Sequence, residues 1–344
     1  MKLSKNARKN WINIFLILII SSAFLVWQFR DVNMQQVKHE IQSVNLWWIS
    51  VAFIFMFLYW LFEAVVLHKS ILPTFSKERF SSSFRITMIG QFFNTITPMQ
   101  AGGQPAQLYA LLKKGIDVGV GSSLLLFKFI IYQAMIVFNF IIVLIFGFHY
   151  LLNGSLPQVK YLVLIGFTVH LAVVIGLILV GKSRRFTTKL VHMILKPFNW
   201  FMKKERIQKI QATVDGKIAT FHEESGRISR DKKLIWSACI YTSLQLWAYF
   251  AIPYFIFLGM GISNLDVFMV ITFHAFIMMF ATVVPTPGGT GGAEYTFTLL
   301  FGPLLVSAKL LTALLIWRVI TYYSCIIFGG VAMAIPDKNK VKPD

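Results

Sequence analysis

The sequence predicts an all-α polytopic membrane protein, with about six full spans and two opposed, broken helical hairpins arranged as an inverted repeat. Three observations support this fold class. Hydrophobic residues make up 56% of the 344-residue chain and charged residues only 14%, against roughly 25% charged in an ordinary soluble domain. Two stretches rich in proline and glycine interrupt apolar sequence, and the basic residues are spread very unevenly along the chain.

Six apolar runs are long enough to be membrane spans, because crossing a hydrocarbon core of about 30 Å takes about 20 helical residues. The first repeat, residues 1–150, contains runs at 11–28, 45–67 and 118–148. The second repeat, residues 155–336, contains runs at 157–181, 233–259 and 305–335. We expect the first run to be retained as a span, since no small-residue cleavage site of a signal peptide follows it.

The two breaks predict re-entrant hairpins at residues 84–113 and 264–302. The turns contain Pro98, Gly102, Gly103 and Pro105 in the first hairpin, and Pro285, Pro287, Gly288, Gly289, Gly291 and Gly292 in the second. Lipid cannot pair the backbone groups of a broken helix, so the breaks favour a polar cavity over the alternative, tight packing of small residues. In a cavity, the helix N-termini after the glycines would point free N–H groups at an anion. The polar side chains expected there are Asn94, Thr97, Gln104, Thr286 and Thr290.

The basic residues predict the orientation. Of 33 Lys and Arg residues, 27 fall in segments that this topology places on the cytoplasmic side and 4 on the outer side, as the positive-inside rule expects. Both termini and the basic loop 182–232 are therefore predicted to be cytoplasmic, in a bacterial cytoplasmic membrane. Phe186, Leu190 and Met193 recur near helical spacing in this loop, which indicates an amphipathic helix on an anionic inner leaflet, with a solvated connector as the alternative. Nucleic-acid binding is not expected, because no module that reads or stacks bases accompanies the charge.

Two ionisable residues near the second break are candidates for a binding site, because charge inside a bilayer is costly. Arg318 lies well inside the last span, and Glu294 opens the helix after the break. The two side chains either form a structural ion pair, or Arg318 grips a substrate phosphate with its fixed fork of donors while Glu294 orients it.

Four further ionisable residues have two interpretations each. Lys128 either snorkels to the cytoplasmic interface or faces a cavity. Glu63 and Arg85 lie near cytoplasmic ends, where they either reach headgroups or contribute to the substrate site. His274 is either a satisfied polar residue of the bundle or, with Glu63, a proton carrier. Both cysteines fall inside predicted spans and no cluster has metal-ligand spacing, so neither a metal nor a cofactor is expected.

The two breaks also carry a family resemblance. The first, from Arg85 through Asn94-Thr95-Ile96-Thr97-Pro98 to Gly102-Gly103-Gln104-Pro105, resembles the first signature of the lysylphosphatidylglycerol synthase/flippase membrane-domain family. The second, from Pro285 to Glu294 and followed by Arg318 and Tyr322, is similar to the second signature. The resemblance covers essentially the whole chain. Besides Arg85, Asn94, Glu294 and Arg318, it implicates the turn residues Pro98, Gly102, Gly103, Pro285, Pro287, Gly288, Gly289, Gly291 and Gly292.

The resemblance implies a lipid-handling membrane protein. In the multiple peptide resistance factor, which protects bacteria from antimicrobial peptides, this domain moves aminoacylated phosphatidylglycerol from the inner to the outer leaflet. We therefore expect a flippase for an anionic or aminoacylated phospholipid. The soluble aminoacyl-transferase domain of the bifunctional relatives is not expected after residue 336, so the chain is predicted not to be an enzyme by itself.

Two alternatives stay open. One is a carrier of a polyprenyl phosphate or a glycolipid on the same scaffold. The other is a non-transporting partner of a lipid or cell-envelope synthase, recruited through the basic loop. Membrane lipids with anionic headgroups are the expected ligands, the loop 182–232 is expected to contact the inner leaflet, and a second copy of the chain or a lipid synthase are the protein partners left open.

Overall fold

A computed structural model describes residues 33–152, 157–196, 204–282 and 284–335. Within these ranges the chain is helical and contains no β-strand. The predicted span at 11–28 lies outside the described residues. The first half consists of α1 (Met34–Ser43), α2 (Leu46–Ile71), α3 (Phe80–Ile96), α4 (Gly103–Lys113) and α5 (Val118–Leu152).

The second half continues with helices of the same kinds. It comprises α6 (Pro157–Lys182), α7 (Arg184–Leu195), α8 (Lys204–Arg230), α9 (Lys232–Gly259), α10 (Val267–Ala281), α11 (Gly292–Phe301), α12 (Ser307–Arg318) and α13 (Ser324–Ala334). A 3₁₀ turn, Gly302–Leu304, follows α11, and a π-helical turn, Val319–Tyr323, joins α12 to α13. Single π turns inside helices occur frequently at functional sites.

Five of the described helices are long and apolar enough to cross a membrane. They cover Leu46–Ile71, Val118–Gly147, Leu164–Lys182, Lys232–Gly259 and Ser307–Ala334. The all-α polytopic fold predicted from the sequence is confirmed, and these helices correspond to five of the six predicted spans.

Polar caps set where several of these helices begin. The side chain of Asn45 accepts a hydrogen bond from the backbone N–H of Trp47 at the start of α2. Asp231 caps α9 and Asp266 caps α10 in the same way. Because the first N–H groups of a helix have no intrahelical partner, each cap separates an apolar helix from the loop before it.

The two breaks meet each other inside the bundle. Pro98 and Pro287 form an isolated antiparallel bridge. On either side of it, the N–H of Met99 donates to the carbonyl oxygen of Thr286 at 3.3 Å, and the N–H of Gly288 donates to that of Thr97 at 3.2 Å. Part of the backbone polarity exposed by each break is thus satisfied by the other.

The contacts between helices follow the same pattern in both halves. The two spans that precede the hairpins, α2 and α9, pack along each other. The contact between α2 and α3 in the first half corresponds to the contact between α9 and α10 in the second half. In the same way, α3 packs on α13, and α10 packs on α5. Each hairpin therefore packs against the last span of the other half, which is the arrangement an inverted repeat would produce. The opposite orientation of the two halves stays a prediction.

The basic segment between the halves forms two helices. On α7, Phe186 and Met193 are exposed beside the exposed cations Arg184, Arg185 and Lys189. The rest of the predicted amphipathic stretch, residues 197–203, lies outside the described residues.

The second of these helices, α8, packs on α5. Lys217 of α8 pairs with Asp117 at the start of α5. Glu224 of α8 accepts a hydrogen bond from Thr74 at 3.2 Å, between α2 and α3. The segment is therefore attached to the first half and is more than a solvated connector.

Candidate functional site

Two cavities lie beside the junction of the hairpin turns. The larger, about 490 Å³, is lined by residues of α2, α3, α5, α6, α9 and the first turn. The smaller, about 60 Å³, lies beside Arg318. The polar and charged residues that line the larger cavity are Tyr59, Glu63, Gln91, Asn94, Gln100, Gln104, Lys128, Tyr132, Gln133, His170, Thr242, Gln245 and Thr282.

Glu63 and Lys128 form an ion pair in the wall of the larger cavity. Lys128 Nζ lies 2.5 Å from Glu63 Oε1, with 6% and 10% of the two side chains exposed. Gln107 Oε1 accepts a second hydrogen bond from Lys128 Nζ at 2.8 Å, and Gln91 Nε2 donates to Glu63 Oε2. Lys128 therefore does not snorkel to the interface and Glu63 does not reach headgroups, because each supplies the counter-charge of the other inside the protein.

Arg318 and Glu294 form the second buried pair. Arg318 Nη2 lies 2.6 Å from Glu294 Oε2, with 7% and 3% of the side chains exposed. The same Oε2 accepts a hydrogen bond from the N–H of Gly291 at 2.7 Å. The guanidinium lies over the rings of Trp317 and Tyr322, 4.8 and 5.2 Å from their centroids.

This second pair engages Nη2 of Arg318 and leaves Nε without a hydrogen-bond partner among the described residues. Arg318 lines the smaller cavity. The structural ion pair of the sequence analysis is therefore present, and the contact of Arg318 with a substrate phosphate stays a prediction.

Three N–H groups at the helix N-termini after the breaks are taken by side chains, while the binding of an anion there stays a prediction. The N–H of Gly102 donates to Thr97 Oγ1 at 2.8 Å, and the N–H of Gly103 donates to Asn94 Oδ1 at 2.9 Å. In the second turn, Glu294 takes the N–H of Gly291. Side chains of the same hairpin thus occupy three of the donors that an anion was predicted to use.

Backbone strain is concentrated at the tip of the first turn. Met99 and Gln100 have φ values of 52° and 55°, which are uncommon for residues that carry a Cβ. Both residues line the larger cavity. Strained residues of this kind cluster at binding sites and switch regions.

The remaining predicted site residues divide between the cavity and the scaffold. Asn94 lines both cavities and Gln104 lines the larger one. In the second turn, Thr286 Oγ1 donates to the carbonyl oxygen of Thr290 at 2.6 Å, so these threonines hold the turn itself. Arg85 lies apart from both cavities, where its Nε donates to the carbonyl oxygen of Ala332 at 2.8 Å and ties α3 to α13.

The two histidines of the core have different surroundings. The indole N–H of Trp317 donates to His274 Nε2 at 3.0 Å, so the ring proton lies on Nδ1, which faces the carbonyl oxygen of Phe250 at 3.2 Å. His274 is thus held as the neutral tautomer and lines neither cavity. His170, which the sequence reasoning missed, lines the larger cavity between Gln133 and Thr282, at 2.6 and 2.9 Å.

The sequence reasoning also missed the buried amides. Gln91, Gln107, Gln133 and Gln245 all lie inside apolar helices and are at most 8% exposed. The sequence feature that could have indicated them is an amide side chain within a predicted span or hairpin, because polar side chains there form hydrogen bonds between helices. Within the part of the chain that the structure describes, no group of three or more His, Cys, Asp or Glu residues could hold a metal ion.

Five membrane-length helices, packed around buried ion pairs, define a multi-pass membrane protein. The chain belongs to the family described as the lysylphosphatidylglycerol synthase TM region, whose model matches residues 14–329. It is also 25% identical over 325 residues to a UPF0104 membrane protein of Archaeoglobus fulgidus, a match that covers 92% of this chain and 94% of that protein. The family resemblance drawn from the two breaks is confirmed.

Proposed function

We propose that this protein is a lipid transporter that moves an anionic phospholipid between the leaflets of the cytoplasmic membrane. The observation that carries the proposal is the cavity of about 490 Å³ at the junction of two broken hairpins, inside a bundle of membrane-length helices. Binding sites for small molecules typically occupy about 300–1,000 Å³. A headgroup fits this volume while the acyl chains stay in lipid.

The charge in the smaller cavity supports an anionic ligand. A buried guanidinium with unused donors is suited to phosphate, whose oxygens accept paired hydrogen bonds from one Arg. Arg318 lines this cavity, and its Nε has no partner among the described residues.

The meeting of the turns supports movement of one half against the other. The two turns contact each other through the bridge with its two backbone hydrogen bonds and through the close approach of Gly288 to Thr95. In carriers built from inverted repeats, substrate sites lie at the repeat interface and access alternates by rocking of one repeat. We infer that the site opens to either leaflet in this way.

Membership of a family described as the lysylphosphatidylglycerol synthase TM region supports lipid as the substrate, and the match covers residues 14–329. We propose that this chain moves lipid and does not synthesise it. Its exposed cations on α7 and the positive-inside distribution favour a cytoplasmic face that contains both termini and residues 182–232. The exposed Phe186 and Met193 of α7 suit burial in the inner leaflet.

The proposal is tested by lipid scrambling in liposomes that contain fluorescent phosphatidylglycerol, its lysyl form or a polyprenyl phosphate. The informative variant is Arg318→Met combined with Glu294→Gln, because removal of both charges leaves no unpaired ion in the core. The matched control is Lys217→Met with Asp117→Asn, a pair with 45% and 38% of its side chains exposed. We expect the wild type and the control to move one lipid and the Arg318 variant to lose that movement.

The opposite result would favour a recruiting role. If the wild type moves none of the lipids, with or without a proton gradient, transport is refuted. Charge reversal at Arg184, Arg185 and Lys189 would then abolish function in cells while the Arg318 variant keeps it. Movement of the polyprenyl phosphate alone would identify the carrier alternative.

A further inference from the structure

We propose that His170 takes up a proton when an anionic lipid headgroup binds, so that the proton and the lipid bind together. This inference rests on the proposed function and specifies the ion that accompanies the lipid. It is carried by the balance of charge around the two cavities and by the hydrogen bonds of the His170 ring.

The charged side chains around the two cavities cancel each other. Among the described residues that line them, the charged ones are Glu63, Lys128 and Arg318. Glu63 pairs with Lys128, and Arg318 pairs with Glu294. A phosphodiester headgroup without an amine brings a net negative charge, which neither pair balances. Because a buried net charge is costly, such a headgroup binds more tightly if a neutral group of the wall becomes positive.

His170 is the group of the two walls that can become positive near neutral pH. It lies on α6, is 4% exposed and lines the larger cavity. No other described residue of either wall is a histidine, and histidine is the side chain whose charge changes in this pH range. With an empty cavity the ring has no counter-charge, so the anion supplies the partner that a buried proton needs.

The titratable groups of the neighbouring helices do not supply that partner. On α5, Lys128 is already paired with Glu63. On α10, the one titratable side chain is His274, which is held by Trp317 and the carbonyl oxygen of Phe250.

The basic segment also packs on α6, but far from the ring. His222 of α8 lies beside Gly181 and Arg184, at the end of α6. Gly181 is eleven residues along the helix from His170, or about 16 Å at 1.5 Å per residue. The charge of His170 is therefore set by what enters the cavity.

The hydrogen bonds of His170 allow the ring to gain a proton without losing a partner. Thr282 Oγ1 donates its proton to the carbonyl oxygen of Met279 at 3.0 Å, so it accepts from His170 Nε2 at 2.9 Å. The other ring nitrogen, Nδ1, lies 2.6 Å from the side-chain amide of Gln133. The amide nitrogen donates to a neutral ring, the amide oxygen accepts from a protonated one, and half a turn of the amide exchanges the two.

The same half turn changes what Gln133 offers to a ligand. Gln133 lines the larger cavity, is 8% exposed and makes no other hydrogen bond to a described residue. When its oxygen accepts from protonated His170, its N–H groups are left for a phosphate oxygen. Tyr132 and Asn94 line both cavities, so one headgroup can reach from Arg318 to Gln133. Since protonation favours the anion, the bound anion favours protonation by the same factor.

The test counts the protons that the purified wild-type protein, in a neutral detergent, takes up on binding dihexanoyl phosphatidylglycerol. This soluble lipid has a permanent negative charge, and calorimetry at pH 7 in two buffers of different ionisation enthalpy gives the count. We expect about one proton per lipid and an affinity that falls about tenfold per pH unit above pH 7. Dihexanoyl phosphatidylcholine, whose own ammonium balances the phosphate, should bind without proton uptake.

His170→Gln keeps a hydrogen-bonding side chain that cannot take up a proton. We expect this variant to bind phosphatidylglycerol about tenfold more weakly than the wild type at pH 6, with no proton uptake and no dependence on pH. His39→Gln on α1 is the matched control, because His39 is exposed and lines neither cavity. Its proton uptake should equal that of the wild type.

Four results would overturn the inference, and three of them need no variant to fold. They are no binding of phosphatidylglycerol to the wild type, binding without proton uptake, and equal uptake with the two lipids. The fourth is proton uptake that persists in His170→Gln with a melting temperature near that of the wild type.

The liposome assay separates the two proposals. If phosphatidylglycerol moves and a pH-sensitive dye inside the liposomes detects no accompanying proton, the proton site is refuted and transport stands. If binding takes up a proton in a protein that moves no lipid, the proton site stands and transport is refuted.

Discussion

Replacing Gly288 with alanine tests the contact between the two hairpin turns. A Cβ at this position would lie 2.5 Å from Cε2 of Tyr322 and 2.8 Å from the carbonyl oxygen of Thr95. Neither neighbour can yield easily, because the hydroxyl of Tyr322 donates to that same carbonyl oxygen at 3.4 Å. The φ of Gly288 is 57°, a left-handed conformation that costs about 1–2 kcal/mol once a Cβ is present.

The two effects give the size of the expected loss. Overpacking a closed core costs about 1–3 kcal/mol, so the free energy of unfolding should fall by about 2–5 kcal/mol in Gly288→Ala. Gly261→Ala, just after α9, is the control. Its φ is 71° and nothing lies within 4 Å of the added Cβ, so only the backbone effect of about 1–2 kcal/mol applies.

The assay is unfolding of both variants in mixed detergent micelles, followed by lipid movement at a temperature where both are folded. Because the guanidinium of Arg318 lies over the ring of Tyr322, Gly288→Ala should also slow lipid movement more than Gly261→Ala. Equal losses of stability in the two variants would refute the close approach of the hairpins. Wild-type stability in Gly288→Ala would refute both the steric and the backbone argument.

Three further predictions concern individual groups. Glu63→Gln and Lys128→Met should each cost about 3–5 kcal/mol of unfolding free energy and the double variant much less, and a double-mutant cycle with additive losses would contradict the pair. The hydrogen bond from Lys217 lowers the pKa of Asp117. The resulting attachment of α8 is therefore present at neutral pH and lost as the pH falls below about 4. Lowering the pH from 5 to 3 should reduce the melting temperature of the wild type more than that of Asp117→Asn. Parallel melting-temperature profiles for the two proteins would exclude this contribution. His274→Leu should lower stability by about 1–3 kcal/mol, because an indole N–H loses its acceptor, and should leave the pH profile of lipid movement unchanged; a flattened profile would make His274 a proton carrier.

The spans and breaks were predictable because their signals are local. Apolar length sets a span, and the predicted run 233–259 corresponds to the helix Lys232–Gly259. Proline and glycine break helices through their own backbone geometry, so the turns near Pro98 and Pro287 could be located without tertiary information. The pairing of Arg318 with Glu294 could be considered for a related reason, since both residues fall near the second break.

The first ion pair could not be predicted in this way. Glu63 and Lys128 are 65 residues apart. For each residue taken alone, placing the charge at the membrane interface costs less free energy than burying it. Because α2 packs on α5, Glu63 and Lys128 are buried next to each other and form an ion pair. The same limit applies to Asn94 and Thr97, whose hydrogen bonds to the following glycines depend on the fold of the turn.

Both halves place a basic residue at nearly the same depth of their last span. Lys128 lies ten residues after the start of α5, and Arg318 lies eleven residues after the start of α12. Their acidic partners differ in origin, since Glu63 comes from the span before the first hairpin and Glu294 from the second hairpin itself. Lys128 donates to two acceptors, whereas Nε of Arg318 has no partner among the described residues. An inverted repeat relates two such cations by its symmetry, so we expect the conformation with opposite access to release Lys128 and to hold Arg318 more firmly.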